Sequence, residues 1–143
     1  MSKIFDIHKL WAYLIASIMS FFEPIGVLLL WLFIFVMCDM ITGMIASSCE
    51  GKIITSRKWV KTIGKLFMYS MTISLLHGID VDMLIIPVGL AKICSTLICG
   101  IELYSILENC YRITGNRVFK ILTQFTLKKI EKETGVNLEQ KEK

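Results

Sequence analysis

The sequence predicts an all-α integral membrane protein, and three observations support that fold class. Of its 143 residues 55% are hydrophobic, and the mean hydropathy is +0.64, which makes the chain more apolar than an average soluble domain. The apolar residues form long blocks, and the sixteen Lys and Arg residues lie almost entirely outside those blocks. Together these observations exclude a soluble globular enzyme, a disordered chain and a secreted disulfide scaffold.

Three of the blocks are predicted to be transmembrane helices, each of which needs about 20 mainly apolar residues. Residues 25–48 meet this length with a long uninterrupted apolar run, and residues 83–104 form a second clear span. Residues 66–78 are shorter, but they reach the required length when the span is extended backwards to Val60. We therefore predict a transmembrane helical core over residues 24–110.

The N-terminal segment, residues 1–23, allows two predictions. Its apolar side chains repeat at helical spacing along one face and its polar side chains lie opposite, which is typical of an amphipathic helix in the membrane interface. The segment is also long enough to be a fourth transmembrane helix. In either case Pro24 is predicted to begin a separate helix, because proline suits the first helical turn.

The charges of the loops predict the orientation in the membrane, because Lys and Arg accumulate on the cytoplasmic side. The loop around residues 49–65 contains a single acid and a group of basic residues, namely Lys52, Arg57, Lys58, Lys61 and Lys65. The turn at residues 78–83 carries only two aspartates. We therefore predict a multi-pass protein of the bacterial cytoplasmic membrane, with the basic loop and the C-terminus in the cytoplasm.

The last segment, residues 111–143, is predicted to form a basic amphipathic helix followed by a polar tail. Its apolar stripe consists of Val118, Ile121, Leu122, Phe125 and Ile130. Four lysines surround that stripe, an arrangement that suits an anionic lipid surface. Membrane lipids are therefore predicted partners, and nucleic acid is not, because the basic clusters flank membrane segments.

The cysteines and histidines predict neither a metal nor another cofactor. The five cysteines are odd in number and include no Cys-x-x-Cys pair, and three of them lie inside predicted spans as small apolar fillers. The two histidines have no companion at ligand spacing. Because the sequence also contains no nucleophile–base pair and no phosphate-binding loop, we predict no catalytic residue and no enzymatic activity.

Polar residues inside the apolar blocks are the most informative ones, since an ionised side chain near the bilayer centre costs about 2.5–3.5 kcal/mol on insertion. Asp39 interrupts the second block, and Lys92 and Glu102 lie in the last one. Asp39 is expected to pair with either Lys92 or Lys65, and Lys92 is expected to have an acidic partner. These residues either fix the packing of the helices or line a water-filled assembly.

Two motifs follow one another along these helices. Asp39-Met-Ile-Thr42-Gly43 closes one apolar helix, Gly64-Lys65 opens the next, and the last span carries Glu102-Leu-Tyr-Ser105-Ile-Leu-Glu108-Asn109 with a glycine after it. Their order and spacing resemble the phage-lysis and toxin-secretion holin family, which is marked by Asp-x-x-Thr-Gly, by a Ser and Gly-Lys stretch, and by Glu-x-x-Ser-x-x-Glu-Asn. The resemblance covers about residues 25–125.

The resemblance implies a host-membrane protein that accumulates and then forms homo-oligomeric holes. Such holes let a cell-wall-degrading endolysin, or in some relatives a toxin, cross the membrane. The residues expected to pack the helices or to line the hole are Asp39, Thr42, Gly43, Lys92, Glu102, Ser105, Glu108 and Asn109. No enzymatic activity is implied.

Two other functions share the predicted topology. A membrane adaptor would dock a soluble partner on the basic C-terminal helix and form no hole. A small ion channel or transporter would use Asp39 and Lys92 as a relay or gate. Dye release from liposomes distinguishes the adaptor from a holin, and ion selectivity distinguishes the channel.

Overall fold

The computed structural model describes residues 2–52 and 57–135, with the side chains of residues 7–52, 59–133 and 135. Those residues form four α-helices and one π-helical turn. In chain order the elements are α1 (Ser2–Cys49), α2 (Arg57–Gly78), the π-helical turn (Ile79–Met83), α3 (Leu90–Thr114) and α4 (Arg117–Thr134). The described ranges contain no strand, so the predicted all-α class is confirmed for them.

The second half of α1 packs with α2 and α3 as a three-helix bundle, in which α1 and α3 run parallel and α2 runs antiparallel to both. Inward-facing residues recur at spacings of three and four along each helix, which is the spacing that keeps one face of a helix against its neighbours. The buried apolar core consists of Ile25, Leu32, Val36, Ile73 and Ala91. The described residues thus form one apolar core, which lies towards the end of the bundle that holds the α2–α3 turn.

Helix α1 continues unbroken through Pro24, so the prediction that a separate helix begins there is wrong. An interior proline removes one helical hydrogen bond and crowds the carbonyl group four residues before it, but apolar membrane helices tolerate proline. The 48 residues of α1 extend over about 72 Å. Residues 7–20 project beyond the bundle with every side chain exposed, and the predicted boundary at residue 23 falls inside the helix.

The predicted start of the last span at Met83 is also wrong, because α3 begins seven residues later, at Leu90. Gly89 has a φ of 77°, in the left-handed region that glycine tolerates best, and Pro87 cannot donate a helical hydrogen bond. These two residues keep the chain non-helical until Leu90. Residues 84–89 therefore form a turn between α2 and α3 instead of part of a span.

By length and composition, two helices in the described ranges are suited to crossing a membrane: Ile7–Cys49 and Leu90–Thr114. Helix α2 does not meet that criterion, since its first half contains Lys61 and Lys65. The third predicted span therefore stays a prediction.

Helix α4 folds back along α3 after a turn at Gly115 and Asn116. The Asn116 Oδ1 accepts a hydrogen bond from the Val118 amide at 3.0 Å and thereby caps the helix. Ile130 is buried against Gly100, where an added β-carbon would lie 3.3 Å from the isoleucine side chain. The rest of the predicted apolar stripe remains exposed, namely Val118, Ile121, Leu122 and Phe125.

Candidate functional site: a polar network joining three helices

A network of polar side chains replaces the apolar core towards the other end of the bundle. Asp39 on α1 and Glu102 on α3 both face Lys65 on α2. The Lys65 Nζ lies 3.2 Å from the Asp39 Oδ2 and 2.9 Å from the Glu102 Oε2. The Glu102 side chain is only 1% exposed. One lysine therefore joins two carboxylates, each from a different helix.

The remaining oxygens of both carboxylates also accept hydrogen bonds. The Tyr69 hydroxyl donates to the Glu102 Oε1 at 3.1 Å. The Asn109 Nδ2 donates more weakly to the Asp39 Oδ1 at 3.3 Å and to the Thr42 Oγ1 at 3.4 Å. Because each carboxylate accepts hydrogen bonds on both oxygens, this geometry suits their ionised forms. Among the described residues, no buried side-chain nitrogen or oxygen lacks a hydrogen-bond partner.

The network extends to the surface and reaches charge balance there. The Arg112 Nη1 donates to the Asn109 Oδ1 at 3.0 Å, and its Nε and Nη2 lie 2.8 Å and 2.9 Å from the Glu50 carboxylate. The Lys52 Nζ lies 2.6 Å from the same carboxylate. The three acids and three bases of the whole network are Asp39, Glu50 and Glu102, and Lys52, Lys65 and Arg112. The inner triad therefore carries a net charge of −1, and the outer pairs bring the sum to zero.

Glu50 is the exposed end of this network. Hydrogen bonds from Arg112 and Lys52 lower the pKa of the Glu50 carboxyl from 4.5 to about 2. Because its pKa is lower in the folded protein than in the unfolded chain, the stabilisation is fully present above pH 4.5 and is lost as the pH falls towards 2. Since these side chains are solvent-exposed, the contribution is small. The ion pair between Glu50 and Arg112 connects the C-terminal end of α1 with that of α3.

Gly43 provides the space that Asn109 occupies. A β-carbon at Gly43 would lie 3.4 Å from the Asn109 Nδ2, which is the lower limit of ordinary contact. Alanine would therefore fit, whereas a longer side chain would displace the amide from Asp39. The glycine of the first motif thus allows the asparagine of the second motif to approach α1.

Gly43→Leu is expected to lower the free energy of unfolding by about 1–3 kcal/mol, because the added side chain overpacks the interface and displaces Asn109. The measurement is denaturant unfolding in detergent micelles. Gly26→Leu is the matched control, since Gly26 lies on the same helix and has no atom within 4 Å of an added β-carbon. Equal losses in the two variants would contradict the proposed role of Gly43.

The two sequence motifs meet in this network, but not all of their residues take part in it. The first motif contributes Asp39, Thr42 and Gly43, and the second contributes Glu102 and Asn109. Ser105 is half-buried and Glu108 is exposed, and neither forms a hydrogen bond of the network. Their predicted packing or lining roles stay predictions.

Lys92 lies apart from the network, and its predicted pairing with an acid is wrong for the described part of the chain. The ion pairs of that part of the chain do not include the Lys92 ammonium group. Lys92 is exposed and lines a cleft of about 680 Å³ between α3 and α4, together with Lys129 and Glu133. Lys92 does not reach Asp39 because it follows the inward-facing Ala91 on α3, so that its side chain points away from α1 and α2.

The residues of the predicted basic loop have different environments. Lys52 pairs with Glu50, Lys65 is the centre of the network, and Lys61 is exposed. The side chains of Arg57 and Lys58 lie outside the described residues.

The sequence does not single out three members of the network, namely Tyr69, Arg112 and Glu50. Tyr69 follows Lys65 by four residues and Arg112 follows Asn109 by three, so each lies on the same helical face as a residue already singled out. That spacing is the feature of the sequence that indicates Tyr69 and Arg112 as members of the network. Glu50 differs, because in the sequence it is only the single acid of the basic loop and no spacing links it to Arg112.

A metal site is not among the features that the structure describes. No group of three or more His, Cys, Asp and Glu side chains in the described ranges is arranged to hold a metal ion. The five cysteines are all free thiols.

Comparison with known proteins gives one family. The family model described as the bacteriophage holin family matches residues 16–131 of the chain. The match includes both motifs and every residue of the polar network. No curated protein and no solved structure matches the chain significantly.

Proposed function

Because the chain belongs to the bacteriophage holin family, we propose that it forms lesions in the cytoplasmic membrane of a bacterial host. Copies of the chain associate into a homo-oligomer, and an endolysin, or a secreted toxin, crosses through the lesion. The family is not an enzyme family, and we propose no catalytic activity. Host lysis follows when the endolysin reaches the cell wall.

The distribution of polarity over the bundle is the observation that supports this proposal most. Large apolar side chains are exposed on each bundle helix, among them Trp31, Phe67 and Ile93. Asp39 and Glu102, in contrast, face inward. Such a surface suits a lipid environment. Because the three helices pack directly on one another, a hole requires several copies of the chain.

We place three crossings in the membrane, with α2 as the third. Lys65 lowers the hydropathy of α2, but its charge is paired with two carboxylates inside the bundle. That pairing reduces the cost of placing the lysine at membrane depth. The basic end, with Lys52 and Arg112, is cytoplasmic by the positive-inside rule, and the α2–α3 turn is outside.

We also propose that α4 leaves α3 when α3 crosses the bilayer. Ile130 contacts Gly100, which lies about 21 Å from the cytoplasmic end of α3. In that position the exposed side chains of Lys128 and Lys129 would enter the hydrocarbon, at about 2.5–3.5 kcal/mol each, and Ile130 is the one side chain in the described part of α4 that packing on α3 buries fully. The turn at Gly115 lets α4 lie on the anionic cytoplasmic leaflet instead.

Induced expression in bacteria is expected to collapse the membrane potential and, with a co-expressed endolysin, to lyse the cells. Without the endolysin the potential is lost but the cell envelope stays intact. The measurements are a potential-sensitive dye and culture turbidity, and expression of the endolysin alone is the control. Normal growth and potential at confirmed membrane expression would contradict the proposal and favour an adaptor. Ion-selective single-channel currents would favour a channel.

A further inference from the structure

The turn between α2 and α3 exposes more apolar surface than a turn in water normally does. Its side chains at Met83, Ile85, Ile86 and Val88 are 76%, 100%, 76% and 61% exposed. Turns in water are usually rich in Gly, Asn, Asp and Ser, whereas this one reads Met-Leu-Ile-Ile-Pro-Val. We call residues 83–88 the apolar tip.

Asp80 holds the base of the apolar tip. Its carboxylate is buried, at 7% exposure, and accepts hydrogen bonds from the Val88 amide at 2.7 Å and from the Gly89 amide at 3.0 Å and 2.9 Å. The Leu84 amide donates to the Ile79 carbonyl at 3.2 Å. Three amides that a helix would otherwise satisfy therefore find partners inside the protein. The negative charge of Asp80 points inward while the apolar side chains point outward.

The apolar tip is continuous with the apolar outer surface of the helices beside it. Leu75 and Ile79 precede it and Ile93 follows it, and all three side chains are exposed. These helical residues face lipid if the bundle spans the membrane, so the inference rests on the proposed membrane insertion. If the apolar tip lay in water, the lipid-facing surface would end at the helices. Ile85, the most exposed isoleucine among the described residues, would then be fully hydrated.

We propose that the apolar tip inserts into the outer leaflet and that lipid is its binding partner. The depth is the boundary between headgroups and acyl chains. The carbonyl groups of residues 84–88 accept no hydrogen bond from the described residues, so they need water or headgroups and do not reach the bilayer centre. Asp82, which is exposed next to the apolar tip, lies on the aqueous side. The α2–α3 hairpin is thus anchored in lipid at both its helices and its turn.

Cysteine accessibility tests this proposal. In a chain whose five native cysteines are alanine, Ile85→Cys and Asp82→Cys are compared in intact spheroplasts with a membrane-impermeant maleimide. Both native side chains are exposed, so protein contacts alone predict equal labelling. We expect position 85 to react at least ten-fold more slowly than position 82, and the difference to disappear in detergent. Equal rates in the intact membrane would overturn the proposal.

A second measurement distinguishes lipid from another copy of the chain. A polarity-sensitive fluorophore at position 85 is expected to be quenched more strongly by spin labels on lipid headgroups or upper acyl carbons than by labels near the bilayer centre. Slow labelling without any lipid quenching would mean that protein covers the apolar tip, which overturns the lipid assignment. Asp80→Ala is expected to speed labelling at position 85, since it removes the acceptor that holds Val88 and Gly89.

The outcome is separable from that of the proposed function. Cells that lyse while positions 82 and 85 react equally would contradict the lipid-inserted tip alone. A protein recovered outside the membrane fraction would contradict membrane insertion, and the proposed function with it.

Discussion

Lys65→Met is expected to lower the free energy of unfolding by about 3 kcal/mol, measured by denaturant unfolding in detergent micelles. The substitution leaves the carboxylates of Asp39 and Glu102 close together with no cation between them. Removing one partner of a buried ion pair typically costs about 3–5 kcal/mol. We expect the lower end of that range, because the Tyr69 hydroxyl still donates to Glu102 and the lysine is 40% exposed.

Two variants make the effect of Lys65 specific. Lys61→Met changes an exposed lysine one turn earlier on the same helix and is expected to change stability by less than about 0.5 kcal/mol. The triple variant Lys65→Met, Asp39→Asn, Glu102→Gln removes all three charges together and is expected to recover most of the loss. Equal small effects of Lys65→Met and Lys61→Met would show that the network does not stabilise the bundle.

The sequence identifies the acids of the network better than it identifies their partner. An ionised residue inside an apolar block needs a partner, and this reasoning alone leads to Asp39 and Glu102. Lys65 and Lys92 are both available to Asp39 in the sequence. The structure selects Lys65, because the choice depends on how α2 and α3 rotate about their axes when they pack. Side-chain spacing within one helix carries no information about that rotation between helices.

The ends of the helices are predicted less well, for two different physical reasons. Hydropathy describes how readily a residue leaves water for an apolar environment, and it does not distinguish a helix from an apolar turn. The sequence therefore assigns the turn after Met83 to a span. Pro24 is assigned to a helix start, although apolar membrane helices also tolerate a proline in their interior. The fold-back of α4 places Ile130 against Gly100, a contact between helices that the apolar stripe of α4 alone does not specify.

A disulfide between α3 and α4 is expected to abolish lesion formation until it is reduced. The change is Gly100→Cys with Ile130→Cys, in a chain whose five native cysteines are alanine. An added β-carbon at Gly100 would lie 3.4 Å from the Ile130 Cγ1, one bond from that residue's β-carbon, so the pair is within reach of a disulfide. The bond keeps the lysines of α4 against the middle of α3, where they oppose insertion of α3 into the hydrocarbon.

The measurement is dye release from vesicles that contain anionic lipid. The oxidised double variant is expected to release dye at least ten-fold more slowly than the same protein after reduction. Each single variant is the control, since neither can join the two helices and both should release dye under oxidising and reducing conditions alike. If the oxidised double variant releases dye as fast as the reduced one, α4 stays on α3 in the lesion. Its lysines would then have to face the water of the hole, which would make α4 part of the lining.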